Sequence, residues 1–367
     1  MPAPFAPGEP APWFHAAALD GNPRFTFHTT AGRWIVLLFL GSAAPPESGA
    51  ALQLVAANRD LFDDERASLF GVTADPGDPA AGRIAQSLPG IRWFLDYDLA
   101  VARAYRAIAE GERRYTAHWL LLDPMLRVHR RAALSEGVAL LAELRATVAA
   151  PPALPTAPVL VVPNVLSPQT CRTLIALYEE HGGEESGFMR EENGITVARS
   201  DPAHKRRADH HLGDAGLIAM LKGRVNAALR PMVQRAFQFD PTRIERFMVA
   251  CYDAAEGGHF RAHRDNTTKG TAHRRFACTI NLNADAFEGG DLQFPEFGPR
   301  RYRAPTGGAV VFSCSLLHAV DPVTRGRRYA FLPFLYDDAA ARLREENLVH
   351  VAPELQNYSA GSAEAAA

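Results

Sequence analysis

The sequence predicts two domains of different class. Residues 1–150 read as an α/β layer domain, and residues 159–348 as a double-stranded β-helix, or jelly roll, with supporting helices. Three observations carry this reading. At 367 residues the chain is longer than one ordinary domain. Strands alternate with helical segments in the first part, whereas from Ile244 onward short strands broken by glycine and proline follow one another. Between them lies Ala149 to Pro158, AAPPALPTAP, which is uncharged and without periodicity. Residues 151–158 of it are read as a semi-extended linker, and residues 349–367 as a C-terminal tail.

Composition narrows the function classes. Hydrophobic content of 47% and charged content of 22% are globular values. Lys plus Arg number 39 against 41 Asp plus Glu, so no global field draws in nucleic acid or an anionic membrane, and neither partner is expected. MPAPFAPGEPAPWF lacks a basic region followed by an apolar run, and apolar stretches such as Ile35 to Leu40 are too short to cross a bilayer. A soluble cytoplasmic protein is expected. Cys171, Cys251, Cys278 and Cys314 form no CxxC pair and read as reduced, buried thiols rather than structural zinc ligands or disulfides.

In the first domain, Trp34 to Leu40 is unbroken in its hydrophobicity, as a strand buried on both faces is. A helix follows over Gln53 to Phe62, then a strand over Ser68 to Thr73. A helix through Tyr105, a strand over His118 to Leu122, and a strand and helix between Arg127 and Val148 complete the layer. His118 and His129 read as packed or solvated side chains rather than ligands. This domain resembles the peroxiredoxin branch of the thioredoxin-like superfamily in APGEPAPWF, WIVLLFLGSAAPP, FLDYDLAVARAYRA and RRYTAHWLLLDPMLRVHR. The resemblance implies a thioredoxin-like fold and a reactive cysteine soon after the first core strand, at a helix N-terminus. The matching segment is Ala44-Pro-Pro-Glu-Ser48-Gly, and no cysteine precedes Cys171. Ser48 takes the expected place, and only Arg113 and Arg114 lie near that of the assisting arginine. A serine hydroxyl cannot pass through a sulfenic acid, so no peroxidase chemistry is expected. The domain is left as a platform that docks a partner or dimerises, or as a supporting scaffold.

The second domain opens with a strand over Val159 to Val162 and a helix capped by Ser167 with Pro168 at its first position. Gly182 to His211 is polar, glycine-bearing and charged. It reads as a solvated, mobile loop that could serve as a lid, and its His204-Lys-Arg-Arg-Ala-Asp-His-His211 run as a weaker candidate for metal or phosphate. Gly213 to Arg235 reads as one helix. Strands are then expected over Arg246 to Asp253, Gly258 to Arg264, Arg275 to Asn283, Asp291 to Phe294, Gly308 to Ser313 and Tyr329 to Tyr336.

The chemistry centres on His263-Arg264-Asp265. Residues i and i+2 of a strand share a face, so an imidazole and a carboxylate converge, while Arg264 turns away. Such a triplet is weak evidence alone: with 13 His and 20 Asp in 367 residues, chance supplies roughly 0.7 of them. A distant histidine, His318, follows the run Ala309-Val-Val-Phe-Ser-Cys-Ser-Leu-Leu and would complete a 2-His-1-carboxylate triad with open positions, as non-haem Fe(II) requires. Arg328 fits a cation that grips the far carboxylate of a dicarboxylate co-substrate, with Arg327 a second choice. By alternation His259 shares the face of His263 and reads as a packing residue. His273 reads as a solvated residue of the turn KGTAHRR.

These pieces, FMVACYDAAEGGHFRAHRDN, TINLNADAFEGGDLQFPEFG and LLHAVDPVTRGRRYAFLPFLYDD, resemble the catalytic core of the prolyl 4-hydroxylase-type Fe(II)/2-oxoglutarate dioxygenases. The resemblance implies His263, Asp265 and His318 as iron ligands, Arg328 as the 2-oxoglutarate clamp, Tyr252 as a hydrogen-bond donor to the co-substrate, and Gly289 and Gly290 as a tight turn. It implies Fe(II), 2-oxoglutarate and O2 as requirements, with ascorbate in support, and hydroxylation of an aliphatic C–H. A protein or peptide side chain, prolyl first, is the implied substrate. A free amino acid or other small molecule stays open, as does a non-catalytic module that senses iron or 2-oxoglutarate.

Overall fold

A computed structural model describes residues 5–109, 112, 114–150 and 155–360, the last four by backbone only. Arg113, residues 151–154 of the linker and residues 361–367 of the tail lie outside the described residues. The chain divides into two compact units: the first runs to Pro155 and includes Pro295–Gly298, and the second takes Thr156–Phe294 and the chain from Pro299 onward.

The first unit runs β1 (His15–Ala18), β2 (Phe25–Thr26), β3 (Trp34–Gly41), α1 (Pro46–Ala57), β4 (Ala67–Thr73), α2 (Gly77–Ala80), β5 (Ile91–Leu95), α3 (Ala100–Ala104), β6 (His118–Leu122), β7 (Val128–Ala133) and α4 (Gly137–Ala149). Its seven strands form one sheet in the order β2-β1-β5-β4-β3-β6-β7. Strands β3, β4 and β5 are parallel, and β6 and β7 close the sheet antiparallel. The fold is thioredoxin-like. The hydrophobicity of β3 is continuous because both faces are covered: Val36 and Leu38 pack in one cluster with Val55, Trp119 and Leu140, from α1, β6 and α4. On the other face the Phe39 ring stacks on His118 at 4.8 Å. Ser48 lies in the first turn of α1 and is buried. Arg114 is exposed.

The second unit begins with β8 (Leu160–Val162) and α5 (Pro168–His181), whose N-cap Ser167 Oγ accepts a hydrogen bond from the Thr170 N–H at 3.1 Å. Then come β9 (Glu184–Glu185), β10 (Phe188–Glu192), β11 (Ile195–Arg199), β12 (Lys205–Arg206) and β13 (Ala208–His211). Helices α6 (Ala215–Ala228) and α7 (Arg230–Phe237) lead into β14 (Arg243–Glu245), β15 (Met248–Asp253), β16 (His259–His263), β17 (Phe276–Asn281), β18 (Phe287–Gly289) and β19 (Leu292–Gln293). The unit continues with β20 (Arg301–Tyr302), β21 (Ala309–Ser313), β22 (His318–Val320), β23 (Val323–Phe331) and β24 (Phe334–Tyr336), and ends in α8 (Asp338–Glu346) and α9 (Pro353–Ala360).

Its larger sheet has the order β14-β24-β17-β23-β15-β13-β9, with β21 joining β17 to β8, and its smaller one the order β12-β16-β22-β19-β20. These antiparallel strands make the jelly roll. Helices α5, α6 and α7 cover the larger sheet, where Leu174, Leu221 and Val233 share a core cluster with Val249, Ile280 and Phe331. All four cysteines are free and buried.

Four local expectations are corrected. Gly182 to His211 is not a solvated loop but five short strands, and Lys205, Arg207 and Asp209 within it are buried. The pairing of β13 with β15 and of β12 with β16 supplies the backbone partners that polar composition conceals. Gly213 to Arg235 is two helices, since Pro231 starts a new one. His273 is 2% exposed and bonded through Nε2 to Glu245 at 2.8 Å, so it is not solvated. Between Phe260 and His263 the pairing of β16 with β22 shifts register, so strict alternation does not place His259 with His263.

Candidate metal centre and co-substrate cavity

The two sheets bring together side chains far apart in sequence. His263 ends β16 and His318 begins β22, and the two are register partners. Asp265 lies just beyond β16, in a turn held by its N–H bond to the Cys314 carbonyl at 3.0 Å. Its Oδ1 stands 3.6 Å from His263 Nε2 and its Oδ2 3.3 Å from His318 Nε2. One ligand atom from each of the three residues lies within 4.8 Å of the others, which makes them a candidate metal-binding group among the described residues.

The second nitrogen of each imidazole is committed elsewhere. Nδ1 of His263 pairs with the Arg261 carbonyl at 2.8 Å and Nδ1 of His318 with the Leu316 carbonyl at 3.0 Å. Because a carbonyl only accepts, each Nδ1 carries a proton, which leaves Nε2 as the atom of each ring that faces Asp265. Burial is the main force that holds the His263 pKa down, at about 4, with His318 adding to it, so the ring is neutral at pH 7. Burial opposes the charge on Asp265, but the His318 and His263 imidazoles outweigh it and hold the carboxyl well below the usual range. A carboxylate and two imidazole nitrogens suit a divalent first-row metal such as Fe(II). The Phe260 ring stacks on His263 at 3.5 Å and fixes its plane.

These residues line a cavity of about 260 Å³. Arg328 reaches it from β23, directly opposite Tyr252 on β15. Both are 2% exposed, and the Arg328 guanidinium carbon lies 5.1 Å from the Tyr252 ring centre. Arg328 Nη1 is buried with no hydrogen-bond partner. A buried, unpaired donor on a permanent cation is costly and fits an anionic ligand that supplies the partner. Arg327 points the other way, with a side chain 52% exposed and paired with Asp253 at 2.7 Å. Gly289 and Gly290 adopt φ of +69° and +66°, and a Cβ on Gly290 would stand 3.2 Å from Arg328 Cδ.

A second set of cavity residues lies in the run that the sequence marked only as a weaker candidate for metal or phosphate. Lys205, Arg207, Asp209 and His211 all line the cavity. Arg207 pairs with Asp209 at 2.6 Å, and its Nη1 donates to the Tyr252 hydroxyl at 3.4 Å. Lys205 Nζ donates to Ser186 Oγ at 2.6 Å and to the Gly187 carbonyl at 2.5 Å. The signal was present: these four residues recur at i, i+2, the period of a strand face. His259 is bonded to the carbonyls of Gly257 and Ala203, away from the candidate ligands.

Residues 247–336 match the family model described as the 2OG-Fe(II) oxygenase superfamily. The second unit contains a 2OG-Fe(II) oxygenase domain. The matched span holds the candidate ligands together with Tyr252 and Arg328, and the chain is an enzyme of the dioxygenase type. A curated PKHD-type hydroxylase of Verminephrobacter eiseniae is 27% identical to the chain over 201 residues, covering 51% of this chain and 81% of that relative. Four further PKHD-type hydroxylases are 31% to 37% identical, and the chain spans only 42% to 50% of their lengths. Among solved structures, a prolyl hydroxylase from Trichoplax adhaerens, in complex with a hypoxia inducible factor peptide fragment, is 18% identical, with a TM-score of 0.41, and covers 51% of this chain and 87% of its own. For the first unit, the bacterioferritin comigratory protein of Xanthomonas campestris is 23% identical, with a TM-score of 0.31, and covers 37% of this chain and 92% of its own.

Proposed function

We propose that the oxygenase domain hydroxylates an aliphatic C–H of a protein or peptide side chain, prolyl first, using 2-oxoglutarate and O2 at an iron held by His263, Asp265 and His318. One observation carries this reading: three ligand atoms within 4.8 Å of one another share a cavity with a buried arginine whose Nη1 has no hydrogen-bond partner. Bound there, Fe(II) supplies redox chemistry that couples decarboxylation of 2-oxoglutarate to succinate with insertion of one oxygen atom into the substrate. His263 offers a neutral Nε2, His318 the Nε2 of a ring anchored through Nδ1, and Asp265 brings the one negative charge. Arg328 holds the far carboxylate of 2-oxoglutarate. Tyr252, braced by Arg207, presents its hydroxyl beside it. A cavity of about 260 Å³ must hold the co-substrate and the reacting group together, which suits a side chain presented by a longer molecule. The prolyl preference rests on the motif resemblance.

Mass spectrometry of proteins and metabolites after incubation with cell extract, Fe(II), 2-oxoglutarate and ascorbate tests this. A peptide heavier by one oxygen atom with the native enzyme, absent with His318→Ala, is expected. An oxidised free amino acid would move the substrate to the small-molecule class. No succinate release from 2-oxoglutarate after anaerobic Fe(II) loading and return to air would leave a sensing module.

A further inference from the structure

The second unit contains another cavity, of about 350 Å³, that the proposed chemistry does not use. It adjoins the first: Arg246 and Arg274 line both. Its floor is charged and buried. Glu245, 3% exposed, accepts from His273 Nε2 at 2.8 Å, from Arg274 Nε at 2.7 Å and lies 3.2 Å from Arg344 Nη1. Arg246 stands 3.7 Å from Asp209, whose closer partner is Arg207 at 2.6 Å. Arg246, Arg274 and Arg344 therefore face one lining carboxylate, with Asp209 and Asp265 acting on Arg246 and Arg274 from the first cavity, and the positive charge of this lining is in excess.

That excess has donors to offer. Arg274 is 9% exposed, donates to Glu245 through Nε, and its guanidinium carbon lies 4.2 Å from the Phe334 ring centre. Arg246 Nε is buried with no partner. The rim differs in kind. Met189, Ile218, Leu348, Val351 and Leu355 are partly exposed apolar side chains around the opening. A polar floor that carries surplus positive charge beneath an apolar rim matches an amphiphile with an anionic head. From the first cavity, the Asp265 carboxylate would repel a second anion approaching the same arginines; on this side Glu245 is the one acid in the lining among the described residues and is already paired.

We infer that this cavity binds a small amphiphilic carboxylate, its head on Arg274 and Arg246 and its apolar body against Leu348, Val351 and Leu355. The site adjoins the co-substrate cavity, with which it shares Arg246 and Arg274, and does not depend on the iron assignment. Its occupant would touch the segment after α8, which is anchored to β11 by the Ala352 N–H bond to the Thr196 carbonyl at 3.0 Å, and Met189 on β10. It would therefore bear on the β10–β11 hairpin, whose Phe188 and Met189 also line the first cavity.

Isothermal titration of the full chain, loaded with Mn(II) and saturating 2-oxoglutarate, tests this with octanoate, octylamine and butyrate as probes. Octanoate should bind one per chain, and roughly tenfold or more tighter than either of the others, which lack the head charge or the apolar length. Arg274→Met should abolish the binding. Because that change removes a buried charge, Leu348→Asp serves as the second variant: it leaves the floor intact, places a like charge at the rim and should also abolish binding. Circular dichroism of each variant reports folding. Equal affinity for octylamine, octanoate binding that occurs without 2-oxoglutarate but is lost when 2-oxoglutarate is saturating, or undiminished binding in folded Leu348→Asp would each overturn the inference.

Discussion

At the scale of single residues, the cavity separates two adjacent arginines that chemistry alone does not. Strand β23 turns Arg328 inward against Tyr252 and Arg327 outward to Asp253. A charge-assisted bond to a carboxylate contributes about 1.5–3 kcal/mol, so Arg328→Met should raise the KM for 2-oxoglutarate roughly 10- to 150-fold. Arg327→Ala, which removes an exposed pair, should change it by less than about threefold. Steady-state kinetics with 2-oxoglutarate varied decides between them, and the reverse pattern would remove Arg328 from its role. The buried pair Arg207–Asp209 makes a different forecast. Asp209→Ala strands a buried guanidinium, a loss of about 3–5 kcal/mol, and should lower the Tm steeply by calorimetry. An unchanged Tm would mean that Asp209 does not hold Arg207 as described.

At the scale of elements, the site depends on turns and a strand irregularity as much as on strands. Asp265 lies beyond β16 in a turn, and the register shift after Phe260 stacks that ring on His263. The glycine pair before β19 shows how a turn shapes a binding group. A Cβ on Gly289 would meet the Pro322 carbonyl oxygen at 2.2 Å, whereas one on Gly290 would meet Val323 Cγ2 at 2.8 Å and Arg328 Cδ at 3.2 Å. Both positions have positive φ, which costs an L-residue roughly 1–2 kcal/mol. Gly289→Ala should therefore act mainly on stability, while Gly290→Ala should also raise the KM for 2-oxoglutarate by displacing Arg328. Equal KM values for the two folded variants would break that link.

At the scale of the whole molecule, stability should depend on pH through a histidine remote from the chemistry. Desolvation holds the pKa of His118 in the first unit at about 4, and its Nε2 is buried without a partner. The unfolded chain takes up this proton near pH 6.5 and the folded chain only near pH 4. The stability contribution is present above pH 6.5 and lost as the pH falls toward 4, to the extent of about 3 kcal/mol. Urea titrations across that window should show a flatter pH dependence for His118→Phe than for the native chain. An identical slope in both would refute it.

The first unit's strands and the candidate ligands were legible in the sequence because each rests on a local signal: unbroken hydrophobicity in Trp34 to Leu40, i and i+2 spacing in His263 and Asp265, and the order in which His318 and Arg328 follow. The absence of a thiol before Cys171 was equally plain. Other features depend on contacts between distant segments. Gly182 to His211 is polar enough to read as solvent-exposed, and only pairing with β15 and β16 buries Lys205, Arg207 and Asp209. His273 becomes a core residue because Glu245 meets it from 28 positions away. By itself the sequence determined the donor types and their order, since strand periodicity and residue chemistry are properties of neighbours along the chain. Only the tertiary structure decided which arginine faces the cavity and which charges are buried, because burial and charge pairing depend on the surroundings that packing assembles.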